Sequence, residues 1–143
     1  MAEYIQSAYK DVLGIETNVA ITTKPIRPDC TTAKGGEMVV TGWGANYNDV
    51  SSFLNLFVTG NSYNKGKYSN PKYDKLIEGS RTTHATNLEA RWQNHLDAEK
   101  VLLGEGYAVI RLYQVVEGHL INPKTKDMVV MLLELPMIIN ICQ

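Results

Sequence analysis

The alternation of apolar and polar positions first predicts a helix and then a strand. Apolar residues recur at helical spacing over residues 2–13, and Gly14 follows where a left-handed cap would end the helix. Over residues 15–23, apolar or β-branched residues alternate with the others in a period of two, which predicts a strand. Residues 24–36 carry two prolines and a pair of glycines, so we expect a loop there.

A short apolar run and a glycine-flanked aromatic corner stand in the middle of the chain. The run at 38–40 is rich in valine, which suits a buried strand. It stops at Gly42-Trp43-Gly44, where two glycines allow a sharp turn around a large aromatic side chain. The polar run Asn46-Tyr47-Asn48-Asp49 then precedes a helix-like apolar run at 53–57. Because ligands of α/β sheets tend to lie beyond the carboxyl ends of strands, we expect this corner to face a ligand.

Two helices with recognisable N-caps follow the corner. The first is predicted over residues 71–80, with Ser69 or Asn70 as its cap and proline at its first position. The second is predicted over residues 88–103, with Asn87 as its cap. We expect the apolar face of the second helix to consist of Leu88, Trp92, Leu96 and Leu103.

The last third of the chain is predicted to contribute a strand and an apolar tail. Residues 107–116 read as a strand whose apolar core is interrupted by Arg111. Residues 128–142 are mostly apolar, but the segment is shorter than the about 20 apolar residues that a membrane span needs. The segment 128–142 fits one or two strands in the protein core. We treat 130–143 as a tail separate from 1–129, and its apolar character predicts self-association.

Composition fits one folded domain and excludes nucleic acid as the main partner. The chain has 143 residues, of which 44% are hydrophobic and 20% charged, as in an ordinary globular domain. The net charge of −1, without a stripe of Lys and Arg, does not suit phosphate binding. Cys30 and Cys142 lie far apart without metal-ligand spacing, so we interpret them as free thiols, with a disulfide bridge between them as the alternative.

The spacing of the titratable residues predicts neither catalysis nor metal binding. His84, His95 and His119 lack a metal-ligand partner at helical or hairpin spacing, and we interpret them as surface histidines. The Ser51-Ser52 pair lies in no nucleophile elbow, and the glycine pairs lack the lysine of a phosphate loop. We therefore predict a binding protein that is not an enzyme and needs no cofactor or metal.

Three phrases of the sequence resemble one protein family. The corner and the start of the following helix, residues 42–55, are similar to the family phrase Trp-x-Ala-Asp-Tyr followed by Phe-Leu. Residues 68–77 and 107–113 resemble two further phrases of the same family. Together they resemble the oligopeptide-binding proteins of ABC importers, the extracytoplasmic solute-binding proteins of the peptide/nickel family (family 5). The resemblance covers roughly residues 2–129.

The resemblance implies a fold and a function. Full-length members clamp a peptide between two lobes and deliver it to an ABC permease in the membrane. This chain resembles the later part of the second lobe, so the implied fold is a partial lobe of the type 2 periplasmic-binding-protein-like class, a mixed α/β sheet flanked by helices. The implied function is non-covalent capture of oligopeptides. The alternative is a stand-alone interaction domain that forms homo-oligomers through its apolar tail and has no transport ligand.

The resemblance also implies the peptide-binding residues Trp43, Asn46, Tyr47 and Asp49. Asn46 stands where the family has an aspartate that holds the α-ammonium group of the peptide. Since asparagine brings no charge, we expect weakened or altered recognition of the amino terminus. Asp49 either replaces the missing charge or caps the following helix, and the cap is the favoured interpretation. Trp43 either lines the pocket or packs in the core.

The start of the chain shows no secretory signal. It begins inside an amphipathic pattern, without the basic start and apolar stretch of a signal peptide. Members of the family normally carry such a signal together with a lipid-anchored cysteine. The resemblance therefore implies a lipoprotein at the cell surface or in the periplasm for the full-length parent, whereas this chain itself is expected to carry no export signal.

Overall fold

The first helix ends at a left-handed glycine, as the sequence predicts. The computed structural model describes residues 1–19, 38–115, 120–126 and 135–141. Helix α1 (Ala2–Ala8) continues as a π-helical turn (Tyr9–Leu13) and ends at Gly14, whose φ is 68°. A positive φ of this size suits glycine because it has no Cβ atom. The predicted cap is therefore confirmed.

The strand predicted over residues 15–23 is wrong where it can be compared with the structure. Residues 15–19 follow the first helix without forming a strand, and a hydrogen bond from the Gln6 side chain to the Thr17 carbonyl holds them back on that helix. Residues 20–23, the predicted loop at 24–36 and Cys30 lie outside the described residues, as do His119 and Cys142.

Three antiparallel strands form the sheet, and the apolar tail supplies its central strand. Strands β1 (Met38–Gly42), β2 (Val109–Val115) and β3 (Leu135–Ile141) are arranged in the order β1-β3-β2. Met38 lies opposite Ile141 in the first pair, and Val109 lies opposite Asn140 in the second. The strands predicted near 38–40 and 107–116 are confirmed. The sheet of the described strands is antiparallel rather than mixed, because β3 runs opposite to both neighbours.

Both N-caps of the long helices are confirmed. Helix α2 (Ser51–Leu54) continues as a 3₁₀ turn (Asn55–Phe57) and leads toward helix α3 (Pro71–Arg81). The Asn70 side chain accepts hydrogen bonds from the first N–H groups of α3, and Pro71 occupies its first position. Helix α4 (Leu88–Lys100) continues as a π-helical turn (Val101–Glu105), and the Asn87 side chain accepts from the Ala90 N–H at 3.1 Å.

The predicted apolar face of α4 is wrong at its first two residues, whereas Leu103, just after the helix, packs against the core as predicted. Leu88 and Trp92 are 76% and 52% exposed. The buried positions of this helix and its continuation are instead His95, Ala98, Val101 and Leu102. Arg91 lies one turn before His95 and forms an ion pair with Asp49, with 2.8 Å between Nη2 and Oδ2. The interpretation of His95 as a surface histidine is therefore also wrong, because this residue is only 3% exposed.

The core lies between α2, α3, α4 and the start of β2, with Tyr73 at its centre. Tyr73 is fully buried, and its ring meets the Tyr68 ring edge-on with centroids 5.7 Å apart. Its hydroxyl donates a hydrogen bond to the Leu54 carbonyl, which ties α3 to the end of α2. Burial raises the pKa of Tyr73, so the hydroxyl keeps its proton as a donor. The apolar core consists of Leu54, Leu56, Phe57, Tyr68, Tyr73, Ile77, Ala98, Val101, Leu102, Ala108 and Val109.

The loop between α2 and α3 is organised by a buried amide. Asn64 is 8% exposed and its Nδ2 donates to the carbonyls of Tyr68 at 2.7 Å and Val58 at 3.2 Å. Its Oδ1 accepts from the Tyr68 N–H at 3.0 Å. These bonds satisfy backbone groups that the loop could not pair by itself. They also fix the loop that carries Tyr63 toward the corner at Trp43.

Over the described ranges, no helix has both the length and the apolar character needed to cross a membrane.

Replacing Tyr73 by phenylalanine tests the role of the buried hydroxyl. The change keeps the ring but removes the donor to the Leu54 carbonyl, so we expect the free energy of unfolding to fall by about 1–3 kcal/mol. Urea unfolding followed by circular dichroism measures it. The matched control is Tyr113→Phe on β2, where the side chain is 47% exposed and we expect a change below about 0.5 kcal/mol. Equal losses in both variants would contradict the role of this hydrogen bond.

Candidate functional site

The corner, defined as residues 43–52, connects the carboxyl end of β1 to α2. Its backbone folds in successive turns, in which the Asp49 N–H donates to the Tyr47 carbonyl at 2.9 Å and the Ser52 N–H donates to the Asp49 carbonyl at 3.0 Å. The four predicted binding residues Trp43, Asn46, Tyr47 and Asp49 all lie within it. The structure therefore brings them together at one end of the sheet.

Trp43 is held from both sides. Its indole Nε1 donates to the Ser52 carbonyl at 3.1 Å. The Tyr63 ring meets it edge-on with centroids 4.9 Å apart, and Trp43 also packs against the core. The indole is only partly buried. The packing of Trp43 against the core is therefore confirmed, and its role in lining a pocket stays a prediction.

Asn46 and Tyr47 present polar groups at the surface of the corner. The Asn46 N–H donates to Ser52 Oγ at 2.9 Å, while its exposed side-chain amide has no hydrogen-bond partner among the described residues. The Tyr47 side chain is 47% exposed. Its hydroxyl shares a hydrogen bond with Ser51 Oγ at 3.1 Å and accepts from Asn55 Nδ2 at 3.4 Å. The Tyr47 hydroxyl is thus held in place, whereas the Asn46 amide is available to a ligand.

Asp49 is bound tightly within the chain. Arg91 Nη2 lies 2.8 Å from both carboxylate oxygens, and the Ser51 N–H donates to Oδ1 at 2.8 Å. Asp49 thus binds the first N–H of α2 from one residue before the N-cap position, which Val50 occupies without a side-chain bond, so the favoured capping interpretation is wrong in its position. Burial alone would raise the pKa of Asp49, but the hydrogen bonds from Ser51 and the ion pair with Arg91 outweigh it and lower that pKa to about 2. Asp49 is therefore ionised and paired at neutral pH.

His95 lies close behind this ion pair. Its Nε2 atom is buried without a hydrogen-bond partner in the part of the chain that the structure describes. Burial and the positive charge of Arg91 lower the pKa of His95, with Asp49 opposing them, so the imidazole is neutral. Over the same residues, no group of three or more His, Cys, Asp or Glu side chains could hold a metal ion.

Sequence patterns did not reveal Arg91 and Tyr63 as parts of this site. Arg91 lies 42 residues after its partner and on a different element. Tyr63 belongs to a loop whose path is set by the buried Asn64. The polar run at 46–49 contains one acidic residue, Asp49, and no basic residue. This charge imbalance is the signal in the sequence that a basic partner lies elsewhere in the chain.

Comparison with known proteins shows several similar curated relatives, two of which are described here. No family model matches the chain. The dipeptide-binding protein of Lactococcus lactis subsp. cremoris (strain MG1363) is 34% identical over 126 residues, which cover 86% of this chain and 22% of that protein. The periplasmic oligopeptide-binding protein OppA of Haemophilus influenzae is 36% identical over 85 residues, covering 59% of this chain and 15% of OppA.

A solved structure extends the similarity to the fold. The crystal structure of the peptide-binding protein of a peptide ABC transporter matches with a TM-score of 0.65 and 36% identity. The match covers 73% of this chain and 46% of that one. The chain is related to the peptide-binding proteins of ABC transporters. The family resemblance found in the three sequence phrases is thereby confirmed.

The chain corresponds to one part of these peptide-binding proteins. It spans about a fifth of the length of the Lactococcus relative, since the match covers 22% of that protein. The matched proteins are named for binding and not for catalysis. The Haemophilus relative is named as periplasmic.

Replacing Arg91 by methionine tests how firmly the ion pair holds the corner. The variant keeps an unbranched side chain but leaves Asp49 without its cation, so we expect the free energy of unfolding at pH 7 to fall by on the order of 1–2 kcal/mol. The hydrogen bonds from Ser51 and then the pairing with Arg91 together lower the pKa of Asp49 from 3.8 to about 2, so the stabilisation that the ionised carboxylate gives is present above about pH 4. It is lost as the pH falls toward about 2. Urea unfolding across this range should show the difference between variant and wild type shrinking.

The matched control for this ion pair is Arg111→Met. Arg111 Nη1 lies 3.2 Å from Glu99 Oε1, in a pair whose side chains are 70% and 45% exposed. We expect a loss below about 0.5 kcal/mol, since exposed pairs contribute little. An equal loss in both variants, or a loss for Arg91→Met that does not depend on pH, would contradict the role assigned to Asp49.

Proposed function

We propose that this chain is part of a solute-binding protein that captures oligopeptides for an ABC importer. The observation that carries the proposal is the 34% identity with a dipeptide-binding protein over 86% of the chain. The solved peptide-binding protein with a TM-score of 0.65 supports it independently through the fold. In this proposal residues 1–129 belong to the second lobe of a type 2 periplasmic-binding-protein-like fold, and 130–143 are its atypical end.

The corner is proposed as one wall of the peptide site. The Trp43 indole, fixed by Ser52 and Tyr63, offers an apolar surface at a constant position. The Asn46 amide and the Tyr47 hydroxyl supply polar contacts at its edge. Asp49 contributes by holding this geometry through its bonds within the chain. Binding of this kind is non-covalent and needs orientation rather than proton transfer.

The wider setting of the proposal follows from the names of the relatives. A longer protein that carries this segment would work at the cell surface or in the periplasm and pass its peptide to an ABC permease.

No observation favours the alternative of a self-associating domain. Strand β3 of the apolar tail is hydrogen-bonded on both sides to strands of its own chain, so its backbone is already paired.

Titration of the chain with a short peptide, followed by two-dimensional NMR, tests the proposal. We expect saturable shifts at the Trp43 indole N–H and at residues 46–49. The dissociation constant should be on the order of millimolar, because a single wall buries little of a ligand. Trp43→Phe removes the bond to Ser52 and should weaken binding severalfold. Trp92→Phe, which changes an exposed residue of α4, is the matched control and should bind like the wild type.

Two results would refute the proposed function. One is the absence of any saturable shift in the corner at the highest soluble peptide concentration. The other is an equal effect of Trp43→Phe and Trp92→Phe on the dissociation constant, which would separate binding from the corner.

A further inference from the structure

His95 on α4 is a buried titratable side chain that the proposed function does not use. It is 3% exposed, and its Nε2 atom is buried without a hydrogen-bond partner in the part of the chain that the structure describes. A neutral imidazole can leave one ring nitrogen without a proton, so an unpaired Nε2 can remain a bare acceptor. An imidazolium ring cannot, because both of its nitrogens carry N–H groups. A protonated His95 would therefore bury both a positive charge and an unpaired donor.

The charges that act on His95 do not offset this cost. Arg91 lies one turn earlier on the same helix, and its positive charge opposes a second cation. The negative charge of Asp49 favours protonation, but both of its oxygens already lie 2.8 Å from Arg91 Nη2, and Oδ1 accepts from the Ser51 N–H. Burial and the charge of Arg91 outweigh Asp49 and lower the pKa of His95 from its ordinary value of 6.5.

Among the described residues, the elements packed against α4 supply no buried anion to His95. Residues 51–57, which form α2 and the 3₁₀ turn after it, contain no Asp, Glu, Lys or Arg. Glu99, one turn after His95, pairs with Arg111 at 3.2 Å. The residues that α3 buries are uncharged: Tyr73, Ile77 and Ser80. The other charged side chains of α3, α4 and its continuation are exposed or half-buried: Lys72, Asp74, Lys75, Glu78, Arg81, Glu89, Asp97, Lys100 and Glu105.

Protonation of His95 is thus incompatible with its place in the core. For the ring to reach water, the part of α4 that carries both His95 and Arg91 must move. We propose that His95 makes the corner pH-sensitive: in an open form that takes up a proton at His95, this part of α4 moves away from the core and Arg91 withdraws from Asp49. Asp49 is not the sensor, since its pKa of about 2 keeps it ionised near neutral pH. The open form is a property of the chain without ligand, so it stands apart from the proposed function.

The pH range of this change follows from the two forms of His95. In the open form the ring is solvated and has its ordinary pKa of about 6.5, whereas burial in the closed form lowers that pKa. The closed form is therefore fully favoured above about pH 6.5. As the pH falls below about 6.5, the open form gains on the closed form by up to about tenfold for each pH unit.

Amide hydrogen exchange of the whole chain, measured by NMR between about pH 7.5 and about pH 5, tests the inference. The reporters are the Ser51 N–H, bonded to Asp49, and the Arg91 N–H, bonded to the Asn87 carbonyl at 2.9 Å. We expect the protection factors of both to fall by up to about tenfold for each pH unit below about 6.5. The Tyr68 N–H, bonded within the loop between α2 and α3, is the internal control and should keep its protection factor.

Matched variants assign the effect to His95. His95→Gln keeps a polar side chain that does not titrate, so the protection factors of Ser51 and Arg91 should become independent of pH in this range. His95→Leu, which suits apolar surroundings, gives the same test if His95→Gln does not fold. His84→Gln removes a half-buried histidine that is bonded to Asn94, and it should keep the pH dependence of the wild type.

Three results would overturn the inference. The first is constant protection at Ser51 and Arg91 in the wild type down to about pH 5. The second is an equal fall at Tyr68, which would show loss of the whole fold rather than an opening at α4. The third is the same fall in a folded His95 variant, or its loss in His84→Gln. None of these results concerns peptide binding, so the proposed function is tested separately.

Discussion

The ion pair between Asp49 and Arg91 is the constraint on which both the corner and the orientation of α4 depend. Arg91 lies 2.8 Å from each oxygen of Asp49, and the partners come from elements 42 residues apart. With both side chains 28% exposed, their attraction is stronger than that of surface pairs but their burial is also more costly. The additional N–H bond from Ser51 offsets part of this cost. The pair therefore joins the corner, just before α2, to the N-terminal part of α4.

The orientation of α4 about its own axis agrees with this ion pair. With Arg91 turned toward the corner, the residues three to four positions later face the core, which places Ala98 and His95 inside. Trp92, the next residue along the helix, is exposed despite its large apolar ring. Ala98 is fully buried, and its small side chain allows a close approach of the neighbouring helix. The ion pair and the core residues Ala98, Val101 and Leu102 thus fit the same orientation of the helix.

Local signals in the sequence predicted the local parts of this structure. The Asn70 and Asn87 caps, the left-handed Gly14 and the strand before Trp43 each depend on neighbouring residues, and each was predicted. The face of α4 and the position of β3 between β1 and β2 depend on contacts across the whole chain, which periodicity does not encode. The alternating pattern at 15–23 failed in its described part, because alternation without a neighbouring strand does not make a sheet.

In the candidate site too, the local part could be predicted from the sequence, whereas the contacts across the chain could not. The resemblance of residues 42–55 to a family phrase named the four candidate residues of the corner, and their binding role stays a prediction. It left the role of Asp49 open, since a carboxylate three residues after Asn46 could equally have faced a ligand. That question is not answerable from position 49 itself, because it depends on whether a cation reaches Asp49 from elsewhere in the chain. Arg91 does so, and the neutrality of the corner is therefore a property of the folded chain rather than of its local sequence.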